Sequence, residues 1–171
     1  MSELFGVIPG TVKEVGNADY PGAVKVEFTW MGGKNESHWA PVAAAMAGGG
    51  RGAYFMPEKG DEVLVAFGHG DVNHPYVVGF LWNGVDQPPA QDVRERIIRS
   101  VNGHAIRFLD SKPDSGDRGA VVIEDAHGNL ITLSNGKITI KSTAVLELDA
   151  ATIVMKVAGS RRVVVPSANP I

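Results

Sequence analysis

The stretch GGGRGAYFMPEKGDEVLVAFGHGDVNHPYVVGFLWN, residues 48–83, decides the fold of this chain. It contains two apolar runs rich in β-forming residues, Glu62–Phe67 and Pro75–Trp82, which are separated by the turn-forming segment Gly68–His74. Two such runs joined by Gly, Asp and Asn predict a β-hairpin. Both runs are too apolar to have a solvated face along their whole length, so we expect the hairpin in a barrel or sandwich core.

The composition limits the classes of protein to consider. A length of 171 residues allows one large or two small domains, and 44% hydrophobic with 20% charged residues is typical of a soluble protein. The formal net charge of −3 argues against a nucleic-acid binder, which usually carries a basic domain. The absence of cysteine excludes disulfides, a thiol nucleophile and a thiolate metal site. We expect no signal peptide and no transmembrane helix, because no basic n-region and no long apolar run is present.

The residues before the hairpin predict further short strands. Residues 5–15 alternate loosely and residues 23–30 alternate cleanly. Ser37–Val42 predicts a third strand that Pro41 either breaks or places at an edge of the sheet. Ala43–Ala47 could form one helical turn. Five short strands with at most one helical turn are typical of a small closed barrel such as an OB fold. The predicted barrel core consists of Val24, Val26, Phe28, Trp30, Val63, Val65 and Val78.

The second half predicts a different β architecture. Pro88-Pro89 indicates a stiff, extended linker, and four short β units follow residue 120 at intervals of roughly seven or eight residues, which predicts a β-solenoid or a meander. Each unit contributes an alternating apolar pair; the eight residues are Ile131, Leu133, Ile138, Ile140, Leu146, Leu148, Met155 and Val157. The free energy gained by burying these side chains within one chain does not offset the conformational-entropy cost of ordering the segment, ~1.5 kcal/mol per residue. We therefore predict a homo-oligomer whose copies share one β-prism core.

Two motifs give the first half a family resemblance. The run PEKGDEV at residues 57–63 and the pattern GD-x-x-x-P-x-V-x-G at residues 70–79 resemble the OB domain of the VgrG and phage baseplate-assembly-protein-V (tail spike) family. The motif residues are Pro57, Glu58, Gly60, Asp61, Gly70, Asp71, Pro75 and Gly79. Segments 99–106 and 126–129 resemble the start of the spike's β-helix. Pro41 departs from the family, which often has Arg there.

The resemblance implies an all-β protein with three parts. Residues 1–88 would form an OB-fold collar, residues 89–119 a linker leading into the spike, and residues 120–171 an intertwined trimeric β-helix or β-prism spike with its tip. Such a protein acts mechanically, as the membrane-piercing central spike of a contractile injection system or phage-like tail baseplate, and is not an enzyme.

The resemblance also implies partners and a location. The hub domain that precedes the OB domain in VgrG is absent from this sequence, so we expect a separate baseplate hub protein. A PAAR-type cap at the tip and the target cell envelope are the other expected partners. The protein would be made in the bacterial cytoplasm and incorporated into the baseplate of a phage, a pyocin-like particle or a secretion system. The sequence leaves open which of these it is and what residues 159–171 do.

A stand-alone OB module that binds single-stranded nucleic acid or glycan is the alternative. The aromatic residues that could stack on such a ligand are Trp30, Trp39, Tyr54, Phe55 and Phe67. No basic groove is evident in the sequence, so we expect no nucleic-acid binding.

The sequence contains several carboxylates and histidines that could carry chemistry. The carboxylates that could act on a sugar are Glu58, Asp61, Glu62, Glu124 and Asp125, but they flank predicted turns, and we expect structural roles for them. His69, Asp71 and His74 share one loop, yet the five histidines (38, 69, 74, 104 and 127) form no His-x-His, the pattern that binds iron at some spike tips of the resembled family. We therefore expect no metal and no cofactor. Gly48–Gly52 lacks the Lys-Ser/Thr of a phosphate-binding loop and is predicted to be a flexible loop.

Overall fold

The regular secondary structure of the described residues is almost entirely β-strand. The computed structural model describes residues 4–29, 36–157 and 160–164, and within these ranges it contains fourteen strands and one short 3-10 turn, Gly68–Gly70. The chain divides into two compact units, Met1–Pro88 and Pro89–Ile171. No helix in the described ranges has the length and hydropathy needed to cross a bilayer.

The first unit is a nearly closed barrel. Its strands are β1 (Val7–Val15), β2 (Ala23–Glu27), β3 (Ala40–Pro41), β4 (Ala47–Gly48), β5 (Arg51–Gly52), β6 (Glu62–Phe67) and β7 (Pro75–Phe80). Five of them form one antiparallel sheet in the order β3-β2-β1-β6-β7, while β4 and β5 form a separate hairpin. The sheet edges meet where the Ala43 N–H donates to the Val77 carbonyl (2.8 Å). This architecture is consistent with the predicted OB domain.

Strand β1 organises the barrel because it pairs on both sides. Its first half pairs with β6 and its second half with β2, and Thr11 is opposite both Glu62 and Glu27. A register shift between Val12 and Glu14 bends the strand. At Gly10 the backbone of β1 lies so close to β2 that a Cβ atom would be 2.4 Å from the Val26 Cγ1 atom. The close approach therefore requires glycine at this position.

The predicted hairpin is present, with one error in the predicted core. Strands β6 and β7 pair antiparallel, but Leu64 is opposite Gly79 and Val65 opposite Val77, so Val78 is the extra residue of a bulge. Val77 is fully buried, whereas Val78 is 46% exposed. The prediction that Val78 belongs to the core was wrong because alternation alone cannot locate a bulge. β7 also has an exposed face, contrary to expectation.

The rest of the predicted barrel core is confirmed, with the exception of Trp30, which lies outside the described residues. Phe28 and Phe67 pack with their ring centres 5.9 Å apart. The buried cluster consists of Val12, Val24, Val26, Phe28, Ala40, Val63, Val65, Phe67 and Val77.

The predicted helical turn at Ala43–Ala47 is wrong, and so is the predicted flexible loop at Gly48–Gly52. The segment forms the β4–β5 hairpin, in which the Ala53 N–H donates to the Met46 carbonyl (2.9 Å). Gly50 has a φ of +67°, which allows the tight turn between β4 and β5. This turn prevents the alanines before it from continuing as a helix.

The second unit is a five-stranded antiparallel meander followed by a separate hairpin. The meander strands are β8 (Glu95–Arg99), β9 (Ala105–Leu109), β10 (Ala120–Glu124), β11 (Leu130–Ser134) and β12 (Lys137–Lys141); the hairpin strands are β13 (Ile153–Val157) and β14 (Ser160–Val164). Asn135 and Gly136, with φ of +48° and +72°, form the two-residue turn between β11 and β12.

Two segments of this unit differ from the sequence-based expectation. No strand forms at Val145–Leu148 in the single chain, so that predicted β unit is wrong: a strand needs a neighbour for its backbone groups, and β12 pairs with β11 alone in the sheet order. The predicted linker 89–119 contains β8 and β9, which belong to the same sheet as β10. The pairing of β8 to β12 lies within one chain.

Candidate functional site: the apolar face of the second sheet

One face of the meander is apolar across all five strands. Residues that are directly paired on neighbouring strands share a face of the sheet. One row of paired residues crosses the sheet as Ile98, Ile106, Ile123, Ile131 and Ile140. A second row crosses it as Arg96, Phe108, Val121, Leu133 and Ile138. We call the surface formed by these two rows the apolar face.

The apolar face is uncovered in the single chain. Ile123 is 46% exposed although its strand β10 is paired on both sides, and Ile140 on the edge strand β12 is 54% exposed. A contiguous apolar surface of this kind is rare on a soluble monomer and is typical of an interface.

Four of the eight predicted spike-core residues come together on this face. They are Ile131, Leu133, Ile138 and Ile140. Leu146 borders the face, since with Val145 it lines a groove of about 440 Å³ whose floor includes Ile123 and Ile140.

The other predicted spike-core residues lie elsewhere. Leu148 is exposed and follows β12 outside any strand. Met155 is in β13, opposite Arg162, and is 56% exposed. Val157 is opposite Ser160 in the same hairpin, and its side chain is not among those described.

Sequence reasoning missed the part of the apolar face that lies on β8, β9 and β10. The missed residues are Ile98, Ile106, Phe108, Val121 and Ile123. Their signal was present in the alternation of Ala105–Leu109 and in the apolar run of residues 120–123. The charged residues that separate them made the segment look like a linker.

The opposite face of the meander mixes polar and apolar side chains: the row through Arg107 contains Ile97, Val122, Thr132 and Thr139, and Val122 is buried. The Arg107 Nε donates to the Glu95 Oε1 (2.6 Å), and its Nη1 lies 3.5 Å from the Glu124 Oε1. The hydrogen bond to Glu95 is the main cause that raises the pKa of Arg107 above its ordinary value. The two faces therefore differ in charge: the ion pairs of Arg107 lie on the opposite face, whereas the two rows of the apolar face contain one charged residue, Arg96.

Arg96 is the exception on the apolar face. It lies on the edge strand β8 and forms an ion pair with Asp110, just beyond the end of β9. The charge is therefore confined to one margin of the apolar face and does not interrupt its centre.

The first family motif forms a turn that docks on β1. Pro57 is buried, and the Glu58 N–H donates to the Asp61 carboxylate (2.8 Å). Gly60, with a φ of +106°, donates its N–H to the Val12 carbonyl (2.9 Å). Glu62 starts β6 and lies opposite Thr11. These groups shape the backbone and do not converge on a cleft.

The second motif forms the turn between β6 and β7. The Asp71 carboxylate accepts hydrogen bonds from the Asn73 backbone N–H (2.9 Å) and side-chain amide (2.8 Å), and the His74 Nδ1 lies 2.8 Å from it. The Asn73 backbone bond is the main cause that lowers the pKa of Asp71. Of the remaining motif residues, Gly70 and Pro75 are buried, and Gly79 is opposite Leu64.

The other candidate reactive groups are also tied into turns and ion pairs. Glu124 pairs with Arg107, while the Asp125 carboxylate accepts from the backbone N–H groups of His127 and Asn129 (2.9 Å each) in the β10–β11 turn. Within the described ranges, no three His, Asp or Glu side chains are close enough together to hold a metal ion.

The candidate stacking aromatics are separated in the fold. Phe67 is in the barrel core, Tyr54 and Phe55 are exposed after β5, and Trp39 stacks on Tyr20. Trp30 lies outside the described residues.

The comparisons with known proteins agree with this architecture. Residues 8–82 match the Type VI secretion system/phage-baseplate injector OB domain. The first unit is an injector OB domain of this family. The chain is 33% identical over 126 residues to the type VI secretion system spike protein VgrG5 of Pseudomonas aeruginosa, which covers 71% of this chain and 15% of that protein. Because the match is longer than the first unit, it also includes part of the second unit.

Two further relatives are similar over a shorter range. The type VI secretion system spike protein VgrG4b of P. aeruginosa is 36% identical over 87 residues, which is 48% of this chain and 11% of that protein. The actin cross-linking toxin VgrG1 of Vibrio cholerae is 33% identical over 90 residues, which is 50% of this chain and 8% of that protein. The chain thus spans less than a sixth of the length of these VgrG proteins.

Proposed function

We propose that this protein is the central spike of a contractile injection system or phage-like tail baseplate, acting mechanically as a homotrimer. The observation that carries the proposal is the apolar face, which crosses all five strands of the meander and is uncovered in the single chain. The family of the OB domain supports the baseplate setting.

Three copies offer a simple way to cover the apolar face. Each meander would form one wall of a triangular prism, with its apolar face inward and its Arg107 face toward water. Nine apolar side chains from each copy, all of them in the two rows of the apolar face, would then share one core. Burying a side chain of this size contributes about 1.5–3 kcal/mol.

The same geometry suits a mechanical role. A prism with hydrogen-bonded walls and a close-packed interior resists bending, since protein interiors are packed as densely as organic crystals. Piercing an envelope requires stiffness and a narrow cross-section and does not require a reactive group, so we infer that the protein is not an enzyme.

The expected partners differ between the two units. The OB unit would form a collar that contacts the baseplate hub. The tip of the trimeric spike can carry a PAAR-type cap and meets the target envelope on contraction. The protein would then be located in the baseplate of the parent particle.

The decisive measurement is the mass of the particle in solution. Size-exclusion chromatography with light scattering should give about 54 kDa, three times the chain mass of 18.1 kDa. Ile131→Lys places a charge at the centre of the apolar face and should abolish the trimer, because an unpaired buried charge costs several kcal/mol.

Thr132→Lys is the matched control. Thr132 is next in the sequence, lies on the opposite face and pairs with Val122 and Thr139, so the variant should remain trimeric. A well-folded wild-type monomer at micromolar concentration would overturn the proposal, and so would an Ile131→Lys trimer.

A further inference from the structure

The barrel carries a surface aromatic stack that the spike role does not use. Tyr20 in the β1–β2 loop and Trp39 just before β3 stack with ring centres 4.6 Å apart and planes inclined by 16°. The Lys25 ammonium of β2 lies 4.8 Å from the centre of the Trp39 ring. Tyr20 is 46% exposed and Trp39 is half-buried, so the accessible ring is that of Tyr20. We call this surface the Tyr20 platform.

The loop that carries Tyr20 is rigidly built. The Gly16 N–H donates to the Ala23 carbonyl (2.8 Å), and the Tyr20 N–H donates to the Asn17 carbonyl (3.1 Å). The Asn17 side chain accepts from the Asp19 N–H (2.9 Å). A Cβ atom at position 16 would be 2.0 Å from the Tyr20 carbonyl oxygen, so the loop closes tightly over Gly16. A ring held in this way loses little conformational entropy when a ligand binds.

The side that carries Trp39 is also fixed. The Ser37 N–H donates to the Val26 carbonyl (2.8 Å), and the Val26 N–H donates to the Ser37 Oγ (2.9 Å). These two bonds attach the segment before β3 to β2, so both halves of the aromatic stack are held by the barrel.

The position of the platform matches the general ligand site of the fold. OB barrels take oligonucleotides and oligosaccharides on the face of strands 2 and 3 and on the loop between strands 1 and 2. Tyr20, Lys25 and Trp39 come from that loop, from β2 and from the start of β3, respectively.

The surrounding charges decide between these two ligand classes. Lys13 pairs with Glu27 (2.8 Å) and Lys25 with Glu14 (2.9 Å). These hydrogen bonds raise the pKa of both lysines, and Glu36 adds to the effect on each. With Asp19 in the loop, this surface has four carboxylates for two lysines, and both lysines are already paired.

A surface with this balance repels a polyanion such as nucleic acid. Carboxylates are good acceptors for hydroxyl groups, and an aromatic ring offers a flat apolar surface for the carbon–hydrogen face of a sugar. We propose that the Tyr20 platform is a binding site for an uncharged oligosaccharide. The site is independent of the spike proposal, because every residue in it belongs to the barrel.

The test is a titration of the full chain with chitohexaose, an uncharged oligosaccharide of N-acetylglucosamine. Calorimetry should show saturable binding, and the indole N–H signal of Trp39 in a heteronuclear NMR spectrum should shift with the same affinity. Tyr20→Ala should weaken binding about tenfold, the size expected for the loss of one stacking contact. Tyr20→Phe keeps the ring and should retain most of the affinity.

Tyr76→Ala is the matched control, because Tyr76 is an exposed tyrosine of β7 with 45% exposure and lies outside the platform. It should leave the affinity unchanged. Circular dichroism establishes that each variant is folded. No saturable binding up to roughly 10 millimolar, or equal affinity for wild type and Tyr20→Ala, would overturn the proposal. Tighter binding of oligo(dT) than of chitohexaose would also overturn it, since it would identify nucleic acid as the ligand.

Discussion

The two units each contain a five-stranded antiparallel sheet, yet they treat their apolar residues in opposite ways. The first sheet curls until β3 meets β7 and encloses Val24, Val26 and Val65 completely. The second sheet leaves Ile106, Ile123 and Ile131 at 38–46% exposure on one open face. The comparison shows that similar alternation can produce a finished core or an unfinished one.

Strand order and bulges explain the difference. In the first sheet β1 lies in the centre and pairs with β2 and with β6, and register shifts occur in both the β1–β2 and β6–β7 pairs. Bulges increase local twist and bend a sheet toward closure. In the second sheet every strand pairs with its neighbour in sequence, and the register from β8 to β12 runs without a shift. That sheet remains open, and its apolar face is uncovered in the single chain.

The largest effect should come from blocking closure of the barrel. Gly10→Ala places a methyl group 2.4 Å from the Val26 Cγ1 and 3.0 Å from the Glu27 carbonyl oxygen, so the strands must separate. We expect the free energy of unfolding of the first unit to fall by about 3 kcal/mol in urea titration. Gly84→Ala is the control, because a Cβ atom there meets nothing within 4 Å.

The same variant tests whether the two sheets have independent roles in oligomerisation. Gly10→Ala should leave the particle trimeric, since the apolar face lies in the second unit. Loss of the trimer in this variant would mean that the barrel contributes the principal oligomer contacts.

A smaller effect should distinguish the two neighbouring valines of β7. Val77 is fully buried and Val78 is 46% exposed, so Val77→Ala should cost about 2 kcal/mol and Val78→Ala less than about 0.5 kcal/mol. Denaturant unfolding of both variants measures the difference directly. Equal losses of stability would show that the outer face of β7 is covered in solution. The first sheet would then also present an apolar face to a partner.

The smallest effect should appear at the β6–β7 turn as a pH dependence. The pKa of Asp71 is lowered from an ordinary value of 3.8, chiefly by the Asn73 backbone N–H and then by His74. A lowered pKa stabilises the folded state above the unfolded pKa, and this contribution disappears as the pH falls through the folded pKa. Asp71→Asn should therefore lower the urea midpoint at about pH 7, and its difference from wild type should shrink as the pH falls below 3.8.

Glu147→Gln, at an exposed position after β12, serves as the control for removing one negative charge. A wild-type advantage over Asp71→Asn that persists undiminished in acid would contradict the role of the ionised carboxylate.

The sequence predicted more of the barrel than of the open sheet, for physical reasons. Glu62–Phe67 and Val24–Phe28 were recognised because a half-buried strand must alternate. Val78 was misplaced because a bulge depends on the strand across from it. Ala43–Ala47 was predicted to be helical from its alanines, but local propensity yielded to the Gly49-Gly50 turn.

For the apolar face, the sequence indicated the correct side of β11 and β12 but not its extent. Ile131 and Leu133 were recognised by their alternation, while Ile98 and Ile106 were hidden among arginines that belong to the other face or to its margin. Which residues are apolar is a local property. What covers them is not a local property, and no pattern within 171 residues contains it.

The nearest-neighbour pairing of β8 to β12 also has a kinetic consequence. Its contacts join residues close in sequence, whereas the barrel requires β1 to find β6 across about fifty residues. Local contacts form early because little loop entropy is lost. The meander should therefore fold first. In the proposed trimer it would display its apolar face before the other copies arrive, so the concentration of nascent chains would govern whether it assembles productively or aggregates.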